Sequence, residues 1–247
     1  MLQKKEIEML RENAKVHKIV FDEIKKKAKP GVSSWEIDEM CGKICKEFGF
    51  LPAFKGVYGF PANICISVND AVVHGVPNKK TIFQKGDVVK FDFGVKDKKY
   101  GVNTDAAFSM IIGDGSHDKK IEKFLKVNEE ALYKGIEQAR DGNTTGDIGY
   151  AIQKHVESSG FYIIKDLTGH GIGKTIHEKP YIYNYGKPHS GEKIKAGMLL
   201  AIEPIIGFSS GEIYDKGGWE IYVKNKSLGS QFEHTILITD GYPEIII

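Results

Sequence analysis

Asp92 and Asp105 both fall within FDFGVKDKKYGVNTDAAF, residues 91–108, a stretch that otherwise reads as buried strand. A carboxylate in a core is costly unless something compensates its charge. The second half of the chain has similar interruptions: Glu203 in LLAIEPII and Glu233 in QFEHTILIT. His170 lies in the glycine-rich TGHGIG, His177 follows in TIHEKP, and His74 lies in VVHGVP just after NICISVN. Glycines flanking His170 let backbone approach closely. One strand carboxylate is ordinarily a paired edge residue, and one histidine is ordinarily a satisfied core or surface group. Four carboxylates and a histidine, all on apolar strands or Gly-rich turns, call for more. Divalent cations would supply it. Four carboxylates can balance two such ions, and two ions roughly 3.5–4 Å apart share bridging carboxylates and a water. Oxygen-rich ligation with one imidazole suits manganese, iron or cobalt better than a structural zinc, with zinc and nickel also compatible. Water bound there becomes acidic enough to yield hydroxide at neutral pH.

The elements must bring these groups together. A two-residue hairpin loop centred on Lys98-Lys99 would set position 92 opposite position 105, with both side chains on one face about 5 Å apart. That register is an assumption, because Lys-Lys is poor chemistry for a tight primed turn. Apolar residues at helical spacing (Ile7, Leu10, Ala14, Ile19, Ile24) predict a helix over 4–28, ended by Pro30-Gly31. Ser33 or Ser34 caps a second helix, with Glu36 or Asp38 nearby, running to Phe48-Gly49. Strands follow at NICISVN and at DVVKFDFGV with YGVNTDAAFSMII. Further helices are expected at about 117–140 and, after the DGNTTGD loop, 147–158. The remainder reads as strand: FYIIKD, MLLAIEPIIGF, WEIYVKN and QFEHTILITD. The order helix, helix, strands thus occurs twice, about 1–113 and 114–247. This predicts a pseudo-symmetric α+β fold, a curved antiparallel sheet backed by four main helices, with the site between the halves. No linker or low-complexity tract divides residues 1–247, so a single domain is expected.

Composition narrows the function. The formal net charge is +2, and the basic residues are nearly all lysine, with arginine only at Arg11 and Arg140. Arginine is the preferred reader of bases and phosphates, so nucleic acid is not the expected substrate. No segment reaches the roughly 18 apolar residues that span a bilayer. The N-terminal MLQKKEIEMLRENAK lacks the apolar core of a signal peptide. Three cysteines, Cys41, Cys45 and Cys65, suggest a reducing compartment, and a cytoplasmic location is expected. Cys41 and Cys45 could form half a metal site, but no second pair follows, so packed core thiols are expected.

NICISVNDAVVHGVP, KFDFGV with TDAAF, TGHGIG, TIHEKP, AIEP and QFEHT, in this order, resemble the type I methionine aminopeptidases of the pita-bread fold. The resemblance covers nearly the whole chain. It implies a hydrolase that removes the N-terminal methionine from nascent proteins and peptides, preferring a small second residue. It implies that Asp92, Asp105, His170, Glu203 and Glu233 bind two divalent ions, with Asp105 and Glu233 bridging. His74 and His177 would contact substrate and stabilise the intermediate, and Glu203 would shuttle a proton. Cys65, Trp219 and Phe60 would line the methionine pocket. A monomer is implied, and work on nascent chains would bring it to the ribosome, for which no motif is present.

Three departures from the family pattern stand out. The spacing from Asp92 to Asp105 is two residues longer than usual, which one residue per hairpin arm would absorb without turning either aspartate away. Phe54, Val57 and Ile176 alter the pocket wall, and Tyr58 replaces a frequent histidine near the entrance. The interval from His177 to Glu203 has no room for the helical insertion of type II enzymes. The chain also begins directly at the catalytic region, without the zinc-binding extension of some eukaryotic members, which implies a compact, bacterial-type enzyme. Two rivals share the fold: an Xaa-Pro aminopeptidase, and a non-catalytic binding protein acting at ribosomes or as a chaperone.

Overall fold

The computed structural model describes residues 3–115 and 118–247. The first half contributes α1 (Lys4–Lys27), α2 (Ser34–Phe48), β1 (Leu51–Pro52), β2 (Cys65–Val68), β3 (Ala71–Val73), β4 (Val88–Lys96) and β5 (Asn103–Ile111). The second contributes α3 (Lys119–Gln138), α4 (Thr145–Ser158), β6 (Tyr162–Ile163), β7 (Thr168–Gly171), β8 (Glu178–Tyr183), β9 (Leu199–Ile202) and β10 (Ile205–Gly207). It continues with β11 (Ile213–Asp215), β12 (Ile221–Val223), β13 (Gly229–Gln231), β14 (His234–Leu237) and β15 (Glu244–Ile245). The repeated order of two helices then strands is as the sequence implies. The expected start of the third helix at 117 lies outside the described residues.

Local chemistry sets the helix ends. Ser33 and Glu36 cap each other's backbone at the start of α2, and Gly49 ends it in a left-handed conformation. Thr144 and Asp147 form the same reciprocal cap on α4. The helix therefore begins at Thr145, inside the stretch expected to be loop.

Hydrogen bonding resolves the expected sheet into four antiparallel pieces. The first has the order β1-β4-β2, with β5 on the other side of β4; another runs β15-β14-β9-β7-β8. The remaining two are β13-β10-β6 and β11-β12-β3. One apolar cluster contains Val20, Phe91 and Phe93 from the first half and Phe124, Leu200 and Ile236 from the second. Cys41 and Cys45 are buried free thiols in that cluster, and burial raises both pKa values. Among the described residues no helix is long and apolar enough to cross a membrane.

The hairpin register differs from expectation. Asp92 pairs with Ala107, and Asp105 pairs with Gly94. The reason is the turn. Asp97 replaces a two-residue loop with a side-chain-capped one, its Oδ1 accepting from Lys99 N and Tyr100 N and its Oδ2 from Val102 N. The shift is by two residues, so both aspartates still share a face, now as diagonal neighbours.

Candidate metal centre

Three long segments read as continuous strands are broken or bounded at the site. MLLAIEPIIGF divides at Glu203-Pro204 into β9 and β10. Pro204 has no N–H to continue a ladder. Buried amides satisfy the freed carbonyls: Asn184 Nδ2 donates to Glu203 O at 2.9 Å, and Asn128 Nδ2 to Pro204 O at 3.1 Å. QFEHT divides around Phe232-Glu233 into β13 and β14, and Trp219 precedes β12 rather than lying in it. TGHGIG contributes strand, not only turn, since His170 sits on β7 opposite Tyr181 and Ala201.

A stitch between the halves aligns the carboxylates. Glu233 N donates to Ala107 O at 2.9 Å, and Ala107 N returns a bond to Glu233 O at 3.3 Å. On either side, hydroxyls replace backbone partners. Asp105 N donates to Thr235 Oγ1 at 2.8 Å, and that hydroxyl donates to Asp105 O at 2.7 Å. Ser109 Oγ donates to Gln231 O at 2.8 Å and accepts from Gln231 N at 3.0 Å. Thr235→Val keeps the shape and removes two bonds at a buried backbone, which costs about 1–3 kcal/mol. With Asp105 loosened, metal affinity should fall about 10-fold or more, as measured by calorimetric titration of the metal-stripped protein.

All the sequence-predicted site residues line one cavity of about 310 Å³. One oxygen each of Asp105 and Glu233 and one nitrogen of His170 lie within 4.8 Å of one another. Glu203 joins them, its Oε1 3.4 Å from His170 Nε2. Asp92 lines the same cavity from the same hairpin as Asp105. His170 Nδ1 donates to Gly171 O at 2.9 Å, which leaves Nε2 as the free lone pair toward the carboxylates.

The residue that sequence reasoning missed is Gln231. It is 1% exposed, and its Nε2 donates to Asp92 Oδ2 at 3.3 Å and Glu203 Oε2 at 3.2 Å. Its signal was its place two residues before Glu233 on extended chain, which points both side chains the same way.

The site is strongly electronegative. Burial pushes the Asp92 carboxyl up to about 7. Burial, reinforced by the neighbouring carboxylates, holds Asp105, Glu203 and Glu233 well above the usual range. Asp105 Oδ1 and Glu233 Oε1 are buried with no hydrogen-bond partner. Among the described residues the one basic group paired with these four is His170, itself pushed down to about 4 by burial. Orphaned acceptors, uncompensated carboxylates and one imidazole fit hard or borderline divalent cations.

The walls are divided. Cys65 is paired cross-strand with Asp92, and its buried thiol is pushed well up. Phe60 meets the Trp219 ring edge-on at 5.3 Å. Phe54, Val57 and Tyr58 complete that side, whereas Ile176, expected in the wall, does not line the cavity and is buried in the apolar cluster of Phe54, Phe60 and Cys65. His74 and His177 open onto the cleft, and burial of their rings, with His177 nearby in the case of His74, lowers both pKa values. His74 holds φ 59°, a conformation rare outside glycine. Gly75 beside it has no room for a Cβ, which would collide with Ile66 O.

Comparison with known proteins agrees with this architecture. The profile of metallopeptidase family M24 matches residues 8–240. A methionine aminopeptidase of Clostridium acetobutylicum is 38% identical over 98% of this chain and 95% of its own length. Methionine aminopeptidase 1 of Bacillus subtilis is 38% identical over 96% of this chain and 94% of its own. The crystal structure of a Thermotoga maritima methionine aminopeptidase superposes with a TM-score of 0.95 at 36% identity, covering 99% of this chain and 97% of that one. A Pyrococcus furiosus prolidase shares the fold, with a TM-score of 0.79 at 23% identity over 64% of its length.

Proposed function

The chain belongs to metallopeptidase family M24 and, within it, to the methionine aminopeptidases, and from this we propose that it removes the N-terminal methionine from peptides and nascent proteins. The observation that carries the reading is the convergence of Asp92, Asp105, Glu203 and Glu233 with His170 in a buried site that, among the described residues, no lysine or arginine lines. These five would hold two divalent ions, Asp105 and Glu233 serving both. Bound there, such ions polarise a carbonyl and make water a nucleophile at neutral pH.

The chain's own groups do the rest. His170 is fixed in the tautomer that offers Nε2. Glu203, steadied by Gln231, takes the proton of the attacking water and passes it to the leaving amine. His177 donates to the scissile carbonyl oxygen as it gains charge, and His74 contacts the substrate and helps to stabilise the intermediate; neutral imidazoles, favoured by burial, have an N–H for this. Cys65, Phe60 and Trp219 hold the methionine side chain. A small second residue, a monomeric state, a single catalytic domain over residues 1–247 and cytoplasmic work on nascent chains complete the proposal; the family resemblance supports them.

The test is a panel of Met-Ala-Ser, Met-Leu-Ser, Leu-Ala-Ser and Ala-Pro-Ala with manganese-loaded protein. Cleavage of Met-Ala-Ser well above the other three is expected. Preference for Ala-Pro-Ala would move the activity to Xaa-Pro peptides, and cleavage of none would leave a binding protein.

A further inference from the structure

Two rings that participate in the proposed chemistry are held in different ways. His170 is tied by Nδ1 to a backbone carbonyl. His177 lies in the bend between β7 and β8, and among the described residues its imidazole makes no side-chain hydrogen bond; the residue's polar contact is its carbonyl, which accepts from Thr175 Oγ1 at 3.2 Å. Its ring is instead in contact with two others. His170 meets it edge-on, centroids 4.5 Å apart and planes at 80°. Tyr58 lies parallel to it, centroids 6.0 Å apart and planes within 7°.

Tyr58 is otherwise an unfavourable residue. It is 79% exposed, and its backbone is in the left-handed region at φ 50°. Its hydroxyl has no partner among the described residues. The turn that presents it is nevertheless fixed: Gly56 N donates to Phe60 O, Val57 N to Phe54 O, and Phe60 N to Val57 O. Gly56 and Gly59 supply positive φ on either side. A pinned turn that holds a strained, exposed aromatic against one imidazole is the kind of local strain that persists when the position serves a site.

We propose that Tyr58 is a positioning residue for His177, its ring holding the imidazole against His170 in the orientation that reaches the scissile carbonyl. The proposal rests on the role given to His177 above. Stacking needs the ring and not the hydroxyl, which makes the idea separable from a polar contact with substrate.

The experiment compares Tyr58→Ala and Tyr58→Phe in wild-type and His177→Ala backgrounds, with Met-Ala-Ser and manganese-loaded enzyme. Tyr58→Ala should lower kcat about tenfold, the scale of a misplaced catalytic group, with KM within about threefold. Tyr58→Phe should recover most of kcat. In the His177→Ala background Tyr58→Ala should add less than about a twofold loss, because residues acting as a unit are non-additive. A tenfold loss that persists without His177, or a rise in KM at constant kcat, overturns the proposal and makes Tyr58 a wall for the substrate. A second readout needs no activity. The His177 ring protons, assigned by their absence in His177→Ala, should lose the Tyr58 ring-current shift and broaden in metal-free Tyr58→Ala. An unchanged His177 spectrum overturns positioning even if the methionine reading holds. Failure of the wild type on every peptide overturns that reading while this spectrum still decides the contact.

Discussion

Glu203→Gln should abolish turnover while the protein remains folded. The substitution exchanges one oxygen for an NH₂ in a residue that is 8% exposed. The backbone of the β9–β10 break is unaffected, because Asn184 and Asn128 hold its carbonyls independently of the carboxylate. An amide cannot accept and release the proton, and loss of a positioned acid–base group costs about 10²–10⁴ in rate. The charge available to cations falls as well, so the larger figure is expected. Gln231 Nε2, now donating to Asp92 and Glu203, loses a charged acceptor. The measurement is kcat on Met-Ala-Ser at saturating manganese, with thermal unfolding as the control for folding. Near-normal kcat in a metal-loaded Glu203→Gln protein would remove Glu203 from its assigned role.

The second large effect has opposite signs in two assays. Asp105→Asn and Glu233→Gln should stabilise the metal-free protein and destroy its metal binding. Both carboxyls are buried, and each leaves an oxygen without a partner. Replacing one such buried carboxyl, which the fold must hold protonated against its usual pKa, by a neutral amide returns on the order of 1–3 kcal/mol, and about 1 kcal/mol moves Tm by about 2–4 °C at this chain length. The pH dependence follows from the direction of the shifts. Asp92 is raised from 3.8 to about 7, and burial raises the other three carboxyls well above their usual range as well. A raised carboxyl keeps its proton in the folded chain after the unfolded chain has lost it. Metal-free stability from these groups is therefore fully present below about pH 4 and is lost as pH rises from there through the folded pKa values. Buried His17, pushed down to about 3, and His170 act the other way. They stay neutral in the fold while the unfolded chain takes up protons below about pH 6.5. The carboxylate part is thus read as the Tm difference between variant and wild type, large at pH 8 and small near pH 4. A variant less stable than wild type at pH 8 without metal would contradict the electrostatic account.

Much of this site was legible because charge inside an apolar strand needs a reason. Asp92, Asp105, Glu203 and Glu233 each interrupt a hydrophobic run, and each lines the cavity. Helix ends were legible where caps are local, as at Ser33 and Glu36. Gln231 was not singled out because a neutral amide on a strand raises no electrostatic question until its partners are known. The hairpin register was lost to one side chain: Asp97 folds the tip on itself, a choice the strand pattern does not encode. His170 was read as part of a turn because two glycines flank it, whereas those glycines allow backbone contact within the sheet. A Cβ on Gly169 would collide with Ala201 O, and one on Gly171 with Lys179 O. The Tyr58–His177 stack joins segments distant in sequence, and no local pattern announces it.

The central claim is that the buried carboxylates and His170 make a metal-dependent methionyl aminopeptidase. It is tested most directly by following Met-Ala-Ser hydrolysis by metal-stripped protein before and after stepwise addition of Mn²⁺, with bound ions counted in parallel. The account predicts no cleavage before addition, release of free methionine as ions bind, and two ions per chain at saturation. Equal cleavage without metal, or no cleavage with two ions bound, would contradict it.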